Sequence, residues 1–215
     1  LLAAAVEHDL RIELLVRPDD FVADGDALAR VAPAERADEA VLADIGESFV
    51  LGTHRTPVQD LGFLTDQLVE MAVRALSPGI NDPSTAVACV RRLGVVIGEL
   101  AGRRMPSPER RDADGAVRVV APATTFDGVV SGCLDPIRPY GARDADVVAA
   151  VLSSLAAAML RCPSPARRDV LATHAREWLE GFARSDAHSD RDRARIDDWA
   201  LRVAGARVQA EEDAS

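Results

Sequence analysis

The segment Val147–Leu160 places the strongest constraint on how this chain can fold. Ser153 and Ser154 are its only polar residues, so a helix over this segment is apolar on nearly every side. The run is shorter than the roughly 18 to 20 apolar residues that cross a bilayer. A helix without a polar face is stable where other elements surround it. We therefore predict a buried central helix here, with Asp144 as its N-cap.

Apolar residues at helical spacing predict further helices before and after this segment. The clearest is residues 60–76, where Leu61, Leu64 and Leu68 begin one apolar stripe. Gly94 and Gly98 share one face of the next helix, because residues four apart lie one above the other; this predicts close packing against a neighbour. We predict a mainly α fold, a helical bundle of about seven helices, with the other helices near residues 35–50, 83–101 and 125–137 and after Pro165 and Ser189.

A small β element is predicted at the front of the chain. Residues 10–16 alternate apolar and polar side chains, as a half-buried strand does, and turn residues follow at 18–20 and 24–26. Residues 103–115 are rich in Pro, Arg and Asp and predict a loop, followed by one short strand at 117–120. The predicted organisation is therefore a small β element at 1–33, a helical domain at 34–209 and a frayed tail at 210–215.

The charge balance excludes some classes of partner. The formal net charge is −10, and the chain has no lysine. Because non-specific nucleic-acid binding requires a cationic surface, we expect no nucleic-acid partner. Three dispersed cysteines, Cys89, Cys133 and Cys162, match neither a disulfide framework nor a zinc site. They predict reduced core cysteines.

The densest polar group lies between the two best-defined helices. Asp82 followed by Pro83 predicts a helix start with Asp82 as N-cap. Three interpretations remain open. Arg74 and the backbone N–H groups after Asn81 could bind a small anion or a lipid headgroup, or an Arg74–Asp82 ion pair could lock a tight interhelical turn. A subunit contact or a conformationally coupled surface is a third possibility.

A second polar group flanks the start of the 60–76 helix. A straight helix holds its two ends roughly 25 Å apart at about 1.5 Å per residue, so the two groups form one site only if the fold brings them together. The candidate residues for ligand binding or a structural lock are Arg55, Asp60, Arg74, Ser77, Asn81, Asp82 and Thr85.

Motifs of known catalytic chemistry are absent from the sequence. It has no Gly-x-Ser-x-Gly, no phosphate-binding Gly-Lys loop and no His-Glu-x-x-His. His174 and Glu177 have the spacing of a metal-ligand pair, but without further ligands we interpret His174 as a histidine at the core edge. We therefore expect no catalytic residue, no metal and no cofactor.

Several segments together resemble a known bacterial family. Residues 74–86 (RALSPGINDPSTA) are distinctive, with residues 51–60 (LGTHRTPVQD) before them and residues 112–115 (DADG) and 137–141 (IRPYG) after them. In this order they resemble the predicted membrane proteins called domain of unknown function 2254. The resemblance covers nearly the whole chain, and it implies a membrane-associated protein with no established activity.

The resemblance implies a role beside a membrane. The chain begins at Leu1 rather than at methionine, so we expect the membrane segments to lie upstream and this region to be the soluble part, on the cytoplasmic side of the cell membrane. We expect a domain that serves assembly, gating or ligand sensing rather than catalysis. The domain could form a homo-oligomer. The alternative is a membrane-associated enzyme or a module that binds a small anionic ligand or lipid headgroup near Arg74, Asn81 and Asp82.

Overall fold

A computed structural model describes residues 1–18, 20–53, 61–185 and 188–212. The described residues form two compact units. The first takes in residues up to 53 together with 106–124, and the second takes in 61–105 and the residues from 125 onward. Helices predominate and the strands form one small sheet, which confirms the predicted mainly α fold with a small β element.

The first unit contains the sheet and two helices. The sheet has the order β2-β1-β4-β3. Ile12 of β1 pairs antiparallel with Val31 of β2 and parallel with Val119 of β4. Its elements are α1 (Leu2–Glu7), β1 (Arg11–Leu14), β2 (Ala29–Ala32), a 3-10 turn (Ala34–Arg36), α2 (Glu39–Glu47), β3 (Glu109–Arg111) and β4 (Val117–Val120).

A separate small core stabilises this unit. Leu10, Ile12 and Val119 are buried against Val41 and Ile45 of α2. Helix α2 therefore belongs to the same unit as the sheet, whereas the sequence places it in the helical domain. The predicted boundary after residue 33 stays a prediction, because compactness is only one way to divide a chain.

The strand β3 was predicted as part of a loop, and that prediction is wrong. Its residues, Glu109 to Arg111, show no apolar alternation, and they pair antiparallel with β4. Strands at the edge of a sheet are commonly charged, because charge discourages pairing with other chains. A charged edge strand therefore lacks the pattern by which strands are recognised.

The second unit is a bundle of seven helices in the part of the chain that the structure describes. Helix α7 contacts α4, α8 and α9 and buries side chains along its whole length, from Val147 to Met159, so the predicted central helix is confirmed. Asp144 caps it by accepting from the backbone N–H of Val147 at 3.0 Å. The helices are α3 (Leu61–Ala75), α4 (Pro83–Gly102), α5 (Phe126–Leu134), α6 (Arg138–Gly141), α7 (Ala145–Leu160), α8 (Pro165–Ala183) and α9 (Asp190–Glu212).

No helix in residues 1–18, 20–53, 61–185 and 188–212 combines the length and the hydropathy required to cross a membrane.

Helices α4 and α7 are in close contact at Gly94. A Cβ atom at this position would overlap the side chain of Ser154, whose Oγ donates to the Ala150 carbonyl at 2.9 Å. The predicted close packing is therefore confirmed at Gly94. At Gly98 a Cβ atom would meet no atom within 4 Å outside its own helix, so only one of the two glycines is required by the contact.

These two glycines form a matched pair for a stability test. We expect Gly94→Ala to destabilise the protein by about 1–3 kcal/mol, because overpacking forces the two helices apart. Gly98→Ala should leave stability unchanged or raise it by up to about 1 kcal/mol, since alanine favours a helix. Thermal denaturation followed by circular dichroism compares them. Equal destabilisation by both variants would show that the Gly94–Ser154 contact does not limit how closely α4 and α7 pack.

Candidate functional site

The predicted polar turn joins α3 to α4. The backbone N–H of Asp82 donates to the Ala75 carbonyl at 2.8 Å, and Ser77 Oγ donates to the Arg74 carbonyl at 2.7 Å. Asn81 has a φ of +47°, a left-handed conformation that asparagine tolerates better than most residues. These bonds account for the turn by local interactions alone.

Asp82 is the N-cap of α4, as predicted. Its carboxylate accepts from Ser84 Oγ at 2.5 Å, from Thr85 Oγ1 at 2.6 Å and from the Thr85 backbone N–H at 3.2 Å. These hydrogen bonds, led by that of Ser84, lower the pKa of the Asp82 carboxyl from 3.8 to about 2. The carboxylate therefore occupies the helix N-terminus, where an anionic ligand would otherwise bind.

Arg74 has a different partner from the one that the lock interpretation requires. Its guanidinium pairs with Glu70 at 2.5 Å, one turn earlier on α3, and both side chains are 68% exposed. No ion pair joins Arg74 to Asp82 among the described residues, and the interpretation of this turn as a lock stays a prediction. Arg55 and Asp60 lie outside the described residues.

A different group of arginines converges in the second unit. Arg138 begins α6, Arg143 lies between α6 and α7, and Arg184 follows α8. A cavity of about 660 Å³ lies between them, which is within the usual size range of small-molecule sites. It is lined by Arg138, Pro139, Ala142, Arg143, Gly181, Arg184 and Ser185.

Gly181 allows the two sides of this cavity to meet. A Cβ atom at position 181 would lie 2.8 Å from the Cβ of Ala142, so a larger residue on α8 would push away the segment that holds Arg143. The sequence signal for this cavity was present but ambiguous. Residues 137–141 are among the segments that carry the family resemblance, but nothing in the sequence connects them to Arg184.

The three guanidinium groups differ in how they are neutralised. Arg138 contacts both Asp135 and Glu177. Arg143 and Arg184 form no ion pair with a carboxylate among the described residues. A guanidinium group presents a planar fork of donors that matches a carboxylate or a phosphate. Within the described part of the chain, the cavity therefore offers a small anion two guanidinium groups that no carboxylate neutralises.

His174 lies near the same two carboxylates that Arg138 contacts. Its Nδ1 is 3.6 Å from Asp135 Oδ1 and 4.0 Å from Glu177 Oε2, and its Nε2 is 3.7 Å from Asp127 Oδ1. The histidine is buried, as predicted. However, the sequence connected it only with Glu177, because Asp127 and Asp135 come from α5 and the segment after it.

Comparison with known proteins decides the family. The family model described as "Predicted membrane protein (DUF2254)" matches residues 1–157. The chain belongs to this family. The match includes Arg138 and Arg143 and ends within α7, so His174, Glu177 and Arg184 lie beyond it.

The relatives found have no assigned activity. Uncharacterized proteins of Mycobacterium bovis and of Mycobacterium tuberculosis are 40% identical to the chain over 124 residues. This alignment covers 57% of the chain and 24% of the length of each relative. No solved structure matches the chain. The chain thus belongs to a family of predicted membrane proteins, and the names of these relatives indicate no function.

The roles of Asp82 and Arg74 can be separated by pH. The pKa of folded Asp82 lies below its ordinary value, so the carboxylate stabilises the fold above pH 3.8, and this contribution is lost as the pH falls towards about 2. We expect Asp82→Ala to lower the melting temperature at neutral pH, and the difference from the wild type to shrink as the pH approaches 2.

Arg74→Ala is the matched control, since an exposed ion pair contributes little. It should leave the melting temperature nearly unchanged at all pH values. A loss as large as that of Asp82→Ala would show that Arg74 does lock the turn.

Proposed function

We propose that this region is a non-catalytic ligand-sensing domain of a bacterial membrane protein, and that it binds a small soluble anion. The observation that supports this is the convergence of Arg138, Arg143 and Arg184 on one cavity. We extend the proposal to a position on the cytoplasmic side of the cell membrane and to a possible homo-oligomer. Anion binding near Arg74, Asn81 and Asp82 stays a weaker proposal, because a carboxylate already fills that helix N-terminus.

The net charge of the chain makes these arginines distinctive. The formal net charge of −10 gives the chain as a whole an unfavourable background for anions, so an anion binds only where a local cationic field exceeds that background. Arg143 and Arg184, which pair with no carboxylate among the residues that the structure describes, provide such a field within one cavity. This local field favours binding of an anion in the cavity over non-specific attraction of anions to the protein surface.

The same charge favours a soluble anion over a lipid headgroup. The surface of a membrane rich in anionic lipids is negative, and it repels an acidic protein within about a Debye length. A free carboxylate or phosphate approaches the cavity without bringing this extended negative surface. We therefore propose a small metabolite with one or two such groups, with the lipid headgroup as an outcome of the test.

Direct binding measurements test the anion site. Isothermal titration calorimetry with inorganic phosphate and with citrate should show saturable binding that weakens as salt increases. The double variant Arg143→Ala with Arg184→Ala should bind at least about 10-fold more weakly, because each charge-assisted hydrogen bond contributes about 1.5–3 kcal/mol. Thermal denaturation verifies that the double variant is folded.

Arg176→Ala is the control for charge alone. Arg176 also lies on α8, but it pairs with Glu180 at 3.9 Å and its side chain is 66% exposed, and it does not line the cavity. Its removal should leave the affinity unchanged. An equal loss with Arg176→Ala, or no saturable binding of either anion to the wild type, would contradict the proposal. Binding only to vesicles of phosphatidylglycerol would replace the soluble anion with a lipid headgroup.

A further inference from the structure

We propose that Asp135, His174 and Glu177 form a binding site for a divalent transition-metal ion of the zinc class. The ligand atoms would be His174 Nδ1 and one carboxylate oxygen each from Asp135 and Glu177. One potential ligand atom from each of these residues lies within 4.8 Å of the others. The proposed metal site and the anion site share Arg138 as a neighbour, but neither Arg143 nor Arg184 is a ligand, so Zn²⁺ binding can be measured separately from anion binding.

The first argument is an unsatisfied pair of buried atoms. The His174 side chain is only 5% exposed, and neither its Nδ1 nor Asp135 Oδ1 has a hydrogen-bond partner among the described residues. The two atoms face each other at 3.6 Å, which is too long for a hydrogen bond. Buried polar atoms without hydrogen-bond partners are rare and costly, and the 3.5 Å ionic contact of Asp135 Oδ1 with Arg138 Nη1 does not supply one. A cation between them would satisfy both.

The second argument is the spacing of the three atoms. Zinc binds nitrogen and oxygen ligands at about 2.0–2.2 Å, so a tetrahedral site separates its ligand atoms by roughly 3.4 Å. The distances from His174 Nδ1 are 3.6 Å to Asp135 Oδ1 and 4.0 Å to Glu177 Oε2. Small side-chain rotations therefore bring the three atoms to coordination distance.

The third argument is the environment of the other ring nitrogen. His174 Nε2 lies 3.5 Å from Ser131 Oγ and 3.7 Å from Asp127 Oδ1. A metal-binding histidine typically directs its second nitrogen at a carboxylate or another acceptor, which orients the ring. A proton on Nε2, facing these oxygens, leaves the lone pair of Nδ1 directed at Asp135 and Glu177.

Arg138 acts as the counter-charge to the same carboxylates. Its Nη1 hydrogen-bonds Glu177 Oε2 and lies 3.5 Å from Asp135 Oδ1. A metal ion would replace this guanidinium group as the partner of the two acids. The Arg138 side chain is 28% exposed and also lines the neighbouring cavity, so it has space into which it can withdraw.

The ligand set indicates which metal class fits. Imidazole nitrogen favours zinc and other transition ions, whereas Mg²⁺ and Ca²⁺ prefer sites made of oxygen alone. One histidine and two carboxylates leave at least one position for water, as in zinc sites with three protein ligands. The cation that we propose is therefore of the zinc class.

Titration with Zn²⁺ tests the site. The full chain, freed of metal with a chelator, should bind Zn²⁺ in calorimetry at this site and should bind Mg²⁺ far more weakly. His174→Ala, Asp135→Asn and Glu177→Gln should each lower the Zn²⁺ affinity at least about 10-fold. The two amide variants preserve side-chain shape, so they decide the result if His174→Ala fails to fold. Co²⁺ should give the visible absorption of a low-coordinate site, and Glu177→Gln should abolish it.

Two control variants separate this site from general metal binding. Glu180→Gln removes a carboxylate that is 59% exposed and lies one turn further along α8. His8→Ala removes a histidine of the other unit. Both should retain the wild-type affinity. Undiminished Zn²⁺ binding in Asp135→Asn and Glu177→Gln, losses of the same size in the controls, or no saturable Zn²⁺ binding by the wild type would overturn the proposal.

Discussion

The burial of α7 among α4, α8 and α9 is the interaction on which the second unit depends. An apolar helix is stable in water only when neighbouring elements shield its side chains. The close contact at Gly94 allows α4 to shield one side of α7. Since α8 packs against the same helix, its position is determined by this core. His174, Glu177 and Arg184 are therefore held by helix packing.

The parts of the fold that local chemistry determines were predictable. Asp82 and Pro83 mark the start of α4, because a capping carboxylate and a residue without an N–H suit those positions in any helix. The apolar segment from Val147 predicts the central helix, since few other environments accept it. These signals depend on neighbours within a few residues. The sequence alone therefore contains the information needed to predict these elements.

The parts that depend on distant residues were not predictable. Arg74 could reach either Glu70 or Asp82, and the direction of the chain after α3 decides between them; the sequence does not specify that direction. Asp127 and Asp135 come 47 and 39 residues before His174 in the sequence, and α5 must pack against α8 before they meet the histidine. Spacing along the chain gave only Glu177. The polar centre of the unit is thus a product of tertiary structure.

The connectivity of the first unit has a consequence for how the protein is made. Strand β1 pairs in parallel with β4, and roughly a hundred residues separate Ile12 from its partner Val119. During synthesis from the N-terminus, α3 and α4 leave the ribosome before β4 exists. The edge of β1 therefore stays unpaired throughout that interval, and such edges promote association between chains. A nascent chain that pauses before residue 117 therefore still presents this unpaired edge of β1.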